Sequence, residues 1–223
     1  MRVLFPHQLI QQGATFTVTG QSKTPQQSVG GAMTVIAAMG ARWTAQATFL
    51  IKGEAAHLAY MAFLAGLEGQ LGTTLLPCLA RYRPVDRDGH FVNRNTVGGI
   101  ANAQTWQHFG LTNAPSLTMT LVADAALRAT QIKVAVDNTT GLRPGQRFSI
   151  GERLHEVQLM WVDGLGATVL QIQPPLRVAA LAGAQLVLNA PVCVMRRSSE
   201  DDGTYDQSLD RMQSVTHSFV EAV

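Results

Sequence analysis

The clearest ordering of apolar and polar positions lies between Arg42 and Pro77. Trp43, Ala45, Ala47, Phe49 and Ile51 alternate with Thr44, Gln46, Thr48 and Lys52, the period of two that marks a strand buried on one face. After Gly53 the period changes. Leu58, Ala62 and Ala65 recur at helical spacing, joined by Met61 and by Phe63 or Leu64, in a run without proline. The pattern predicts one α-helix over about residues 54–67, followed by a strand in Thr73–Ala80 whose Pro77 marks an edge or an end. A single amphipathic helix needs a sheet to lie on. The expected unit is a strongly curved sheet or split barrel with the helix plugging its open side.

The remaining strands follow from the same criterion. Thr15–Thr19 alternates Phe16 and Val18 with threonines, and Met33, Val35 and Ala37 define a further strand that Gly40 turns into Arg42–Lys52 as a hairpin. From Leu117 the texture changes to short strands: Leu117–Ala123, Gln131–Val136, Arg147–Ile150, His155–Val162, Thr168–Gln173, Gln185–Leu188 and Val192–Met195. Turn residues such as Pro144-Gly145, Asp163-Gly164 and Pro174-Pro175 punctuate them, as in a small antiparallel barrel. Its core candidates include Ile132, Val134, Leu142, Phe148, Val157, Leu170 and Leu186. After a polar, acidic stretch over Arg197–Asp210, the segment Met212–Val223 alternates Val215, His217 and Phe219 with Thr216 and Ser218. A strand placed after a complete barrel needs a partner elsewhere, so it is expected to return to the first sheet. The predicted fold is mainly β: a split β-barrel or sandwich domain with one α-helix, formed by residues 1–116 and 197–223, into which a small OB-like antiparallel β-barrel of residues 117–196 is inserted.

Composition narrows the setting. Of the 223 residues 46% are apolar and only 14% charged, against about 25% charged in an ordinary soluble domain. A surface of Thr, Gln, Ser, Gly and Ala suits a protein covered by neighbours. The net charge of +2 comes from dispersed basic residues, so no patch tracks phosphates and no nucleic-acid-specific site is expected. No run of 18 apolar residues exists, which excludes a helical membrane span, and the N-terminus lacks a signal-peptide core. Cys78 and Cys193 lie in apolar strand contexts outside any CxxC motif and read as buried free thiols.

The search for chemistry returns no constellation. His7, His57, His90, His108, His155 and His217 show no metal-ligand spacing, and no serine sits in a GxSxG elbow. Glu200, Asp201 and Asp202 read as solvated rather than as tuned acids. Gly30-Gly31 and Gly98-Gly99 lead into no phosphate-loop helix. Trp161 and Tyr205 could stack on sugars, whereas Trp43 faces a core. No catalytic, cofactor-binding or metal residue is expected. The sequence from Arg81 to Pro115 lacks periodicity and reads as a binding loop or arm, in which Trp106 and Phe109 are the candidate interface anchors.

LRPGQRFSIG from Leu142, TVLQIQPPL from Thr168 and AQLVLNAPVCVM from Ala184 resemble a small β-module of tailed-phage structural proteins. QQSVGGAMTV, GARWTAQATF and the helix AHLAYMAFLAGLEGQLG resemble the ring-forming domain of siphophage distal tail proteins. The resemblance implies a subunit of a hexameric ring linking the tail tube to the tip hub or baseplate. Its expected partners are further copies of itself, tail-tube and tail hub or tip proteins, and receptor-binding or fibre proteins. It would be assembled in the host cytoplasm and reside in the virion, without enzymatic activity and without a cofactor. The alternatives are a tail-tube or head-tail completion protein, or a carbohydrate-binding module of the adsorption apparatus.

Overall fold

The computed structural model describes residues 1–6, 9–22, 26–27, 31, 33–36, 40–78, 80, 82–89, 117–188, 191–203 and 212–223. The first part holds strands β1 (Ile10–Thr19), β2 (Gln26–Gln27), β3 (Met33–Thr34) and β4 (Arg42–Lys52), helix α1 (Gly53–Leu67) and strand β5 (Thr74–Pro77). Then come β6 (Met119–Leu121), β7 (Gln131–Val136), β8 (Arg147–Ile150), β9 (Arg153–Val162), β10 (Thr168–Gln173) and β11 (Gln185–Val187). The chain closes with β12 (Val192–Arg197) and β13 (Met212–Glu221). A five-stranded sheet of order β1-β4-β13-β12-β5 curls into a half-barrel, and β10-β7-β6-β11-β8-β9 close a second barrel. The fold is thus mainly β with one helix among the described residues, as the alternation predicts.

β4 lies inside the sheet, flanked by β1 and β13. Its even spacing sends Trp43, Ala45, Ala47, Phe49 and Ile51 into the core, all at most 3% exposed. The closing strand does return to it: Val215 lies opposite Phe49 and Phe219 opposite Ala45. The expected hairpin between the Met33 strand and β4 does not form. β3 pairs with β2, Val35 and Ile36 are exposed, Ala37 lies outside the described residues, and β1 takes the place beside β4. The ten-residue β1 offers a longer matched alternation, placing Phe16 edge-on to Trp43 with ring centroids 6.3 Å apart.

α1 packs against β4 and β13, but on a different stripe from the expected one. Ala56, Tyr60, Phe63 and Leu67 are buried, while Leu58 is 58% and Met61 42% exposed. The helix is apolar nearly all round, so periodicity alone could not choose its inner face. Tyr60 decides it, because its hydroxyl has a partner under the helix. The end of α1 is set by Glu68 in the left-handed region at φ 45°. Beyond it Gly72 passes so close to Leu67 that a Cβ would lie 2.7 Å from its backbone, an approach only glycine allows.

β12 is the second correction. The sequence groups Val192–Met195 with the barrel strands, whereas the structure pairs β12 with β5 and β13 in the first sheet. The strand is buried on both faces: Cys193 and Met195 enter the sheet core, and Val194 N–H donates to the Glu152 carbonyl of the barrel. A strand covered on both sides reads as a continuous apolar run, which does not reveal its sheet.

A polar seam joins the two barrels. Trp43 donates its backbone N–H to Glu221 Oε2 at 3.0 Å and its indole Nε1–H to the Leu154 carbonyl at 2.7 Å. Arg153 Nη1 and Arg177 Nε approach the other Glu221 oxygen at 3.6 and 3.8 Å. Arg147 lies 5.2 Å from the Trp43 ring centroid, donates to Phe16 O at 3.2 Å and pairs with Glu156 at 2.8 Å. The Glu221 side chain is 1% exposed. Removing it strands two guanidinium groups and one buried N–H, a defect that typically costs about 3–5 kcal/mol. Glu221→Ala is therefore expected to lower the unfolding free energy extrapolated from urea titrations by an amount in that range. Glu221→Gln, which keeps an acceptor for Trp43, should lower it less.

Candidate functional site

Three regions could carry function: a buried histidine cluster, the exposed face and edge of the sheet, and the tip of the barrel. The first is built by β13, whose alternation turns His217 inward between Val215 and Phe219. His217 Nε2 lies 2.6 Å from the Tyr60 hydroxyl, which also donates to the Gly203 carbonyl. The imidazole packs among Phe49, Tyr60 and Phe219 at centroid distances of 5.5–6.0 Å. Gly203 rests on the ring so tightly that a Cβ would come within 1.6 Å of it. Burial, helped by Arg197 and opposed by Asp202, pushes the His217 pKa down to about 4.

The acidic stretch before it is partly structural. Asp202 Oδ2 accepts the Ser218 N–H, and Arg197 Nη2 donates to the Glu200 carbonyl at 2.6 Å and to that of Asp202. Glu200 and Asp201 remain exposed, in line with the solvated reading. Tyr60 and His217 are both 0% exposed. A phenol and imidazole sealed in this way hold a loop against a strand and meet no substrate.

The other candidate groups do not converge. Among the described residues no three His, Cys, Asp or Glu side chains form a metal site. Cys78 and Cys193 are buried free thiols as expected, and burial pushes Cys193 far above the usual thiol range, which removes its nucleophilicity. Trp106, Phe109, Tyr205, His7, His90, His108 and Gly98-Gly99 lie outside the described residues.

The outward face of the sheet is mainly a field of uncharged hydrogen-bonding groups, with Arg42 and Lys52 at the two ends of β4. Thr15 and Thr17 on β1, Thr44, Gln46 and Thr48 on β4, and Thr216 and Ser218 on β13 share it, with Thr48 and Thr216 hydroxyls 2.9 Å apart across the strands. Arg42, Ser198 and Ser218 help line a concavity of about 640 Å³ there. Among the described residues β1 is one of the sheet's two edge strands, with β5 the other, and it carries no charged residue and no proline over its ten residues. Its sole irregularity is a register shift between Gln11 and Gly13, and Arg147 covers only the Phe16 carbonyl. Edge strands usually carry blocking features; β1 has few.

At the barrel tip Leu159, Met160, Trp161 and Val162 are 38–64% exposed and Leu165 is 92% exposed. The turn is held rigidly: Asp163 Oδ1 accepts the N–H groups of Leu165 and Ala167 at 3.0 and 2.9 Å, and Lys133 Nζ holds Oδ2 at 2.9 Å. Trp161 is thus available for stacking, whereas Trp43 is in the core, as its strand position predicts. The polar residues of the seam escaped the sequence reading. Their one signal is isolation, Glu221 being a lone charge in the run SFVEAV.

No family model matches the chain, and no curated protein matches it.

His155 behaves like His217. It is 1% exposed, its Nδ1 lies 2.8 Å from the Pro174 carbonyl, and burial, with Arg177 and Arg153 nearby, lowers its pKa to about 4. Both folded-state values lie below the ordinary 6.5, so the unfolded chain takes up protons first on acidification. The stability held by the neutral imidazoles is complete above about pH 6.5 and is lost as the pH falls towards 4, by up to about 1.4 kcal/mol per pH unit for each. Urea midpoints measured from pH 7.5 to 4.5 should fall in that window, and His217→Gln should flatten the slope by one histidine's share.

Proposed function

We propose that this chain is a structural virion protein of a tailed phage, a distal tail ring subunit that links the tail tube to the tip hub or baseplate. The observation that carries this reading is β1: a long edge strand without charge or proline, on an open half-barrel sheet whose outer face is polar but nearly uncharged. Unpaired backbone groups on such an edge offer hydrogen bonds to the strand of a neighbour. Repeating one heterologous contact around a closed rotation builds a ring. The sparse surface charge favours burial against other copies and against the tube and tip proteins. The function on this reading is mechanical: the sheet supplies the ring, and the barrel faces the adsorption apparatus, where receptor-binding or fibre proteins would attach. A mechanical role is supported by the sealing of the Tyr60–His217 pair among the described residues and by the burial that keeps the Cys193 thiol protonated.

Negative-stain microscopy and light scattering on the purified protein test this reading. Sixfold rings are the expected outcome, and monodisperse monomers at high concentration would overturn it. The double variant Thr15→Lys, Thr17→Lys places like charges on exposed positions of the edge strand. It should abolish rings while shifting the melting midpoint by no more than about 2 °C, as surface substitutions do.

A further inference from the structure

At the seam between the barrels lies a pocket of about 540 Å³, walled by the turn at Gly151 and Glu152, by Arg153 and His155 of β9, and by the segment Leu176–Leu181. Its floor and rim differ in character. Arg153, His155 and Arg177 form the polar wall, whereas Val178 and Leu181 stand at the rim, 63% and 71% exposed. Behind the polar wall is the Glu221 carboxylate, 3.6 Å from Arg153 and 3.8 Å from Arg177. We propose that this pocket binds a small hydroxylated oxyanion of the sugar-acid or sugar-phosphate class.

The charge count is the first support. Glu152, also in the wall, is paired with Arg2, which holds its carboxyl below the usual range. That leaves the two guanidinium groups of Arg153 and Arg177 facing the single carboxylate of Glu221, an excess of one positive charge. The side chains of Arg153 and Arg177 are 23% and 16% exposed, so the excess lies where solvent compensates it poorly. A planar guanidinium is also the group best matched to a carboxylate or phosphate.

Unmatched hydrogen-bonding groups are the second support, and they specify more than charge. Arg177 Nε and Nη2 are buried donors without a hydrogen-bond partner, and Glu221 Oε1 and His155 Nε2 are buried polar atoms equally without one. With its Nδ1 side turned to the Pro174 carbonyl and its ring neutral near pH 7, His155 presents Nε2 as an acceptor. Of these groups Arg177 and His155 belong to the pocket wall, which therefore holds donors and an acceptor together. A bare anion satisfies only the donors, whereas an anion that also carries hydroxyl groups matches both kinds. The apolar rim fits the C–H face of a ring. Nothing in this assignment depends on ring assembly, so it stands or falls apart from the proposed function.

Saturation-transfer difference NMR on the full chain, at pH 7 and fixed ionic strength, tests it with glucuronate, glucose 6-phosphate and glucose. Saturable transfer to at least one of the two anions and little to glucose is the expected result. Response to glucuronate alone identifies a carboxylate ligand, and response to glucose 6-phosphate alone a phosphate ester. Arg177→Lys keeps the charge beside Glu221 but loses the fork, and should weaken binding at least tenfold. Leu181→Asp puts a negative charge at an exposed rim position without touching the core, and should weaken it comparably even if Arg177→Lys impairs folding. The proposal is overturned if neither anion binds, if glucose binds as well as they do, or if Leu181→Asp leaves the affinity unchanged.

Discussion

The architecture depends on a single buried carboxylate. Glu221, one strand end in the first sheet, accepts the Trp43 N–H with one oxygen and faces two barrel guanidinium groups with the other. A lone carboxylate in that position would be prohibitively desolvated, and two lone guanidinium groups no less so. Each half of the protein thus carries polar groups tolerable only when the other half is docked. Trp43 reinforces the dependence, since its indole N–H finds its acceptor, the Leu154 carbonyl, only across the seam. Leu154 in turn packs into the sheet core. The barrel is therefore a structural component of the sheet's core rather than a detachable ornament.

What could be read from the sequence follows from which faces are wet. β4, β7 and β13 each have one solvated face, and their alternation located them to within a few residues. The short barrel strands were found from their turn chemistry, and Ile132, Val134, Leu142, Phe148, Val157, Leu170 and Leu186 do form the barrel core. Legibility ended where an element is apolar on every side. β12 is covered by the barrel on one face and by the sheet on the other, so nothing in VCVM distinguishes the two. α1 carries apolar residues all round, and the stripe through Leu58 and Ala62 was as good a candidate on paper as the one through Tyr60 that is buried. Long-range pairing was the other blind spot: β1 reaches β4 past the β2–β3 hairpin, which local order could not anticipate. The seam and its pocket were invisible because Arg147, Arg153, Arg177 and Glu221 share no local motif and meet only through topology.

The same topology explains how the polar groups buried beside β13 hold structure. Tyr60 and His217 bond to each other, Tyr60 and Arg197 donate to the backbone of residues 200–203, and Asp202 accepts from the Ser218 N–H. A catalytic imidazole needs one nitrogen turned to a substrate and an open path. His217 has aromatic rings around it and Gly203 laid over its face.

β4 has a further consequence that lies in time. Thr48 and its hydroxyl partner Thr216 lie 168 positions apart, so one flank of β4 waits until β13 has been synthesised. The β6–β11 barrel, built mainly from neighbours in sequence, can close earlier. During synthesis β4 therefore exposes an unpaired edge and the Trp43–Ile51 face for the many seconds needed to translate the intervening chain. β13 is the strand that ends this vulnerable interval.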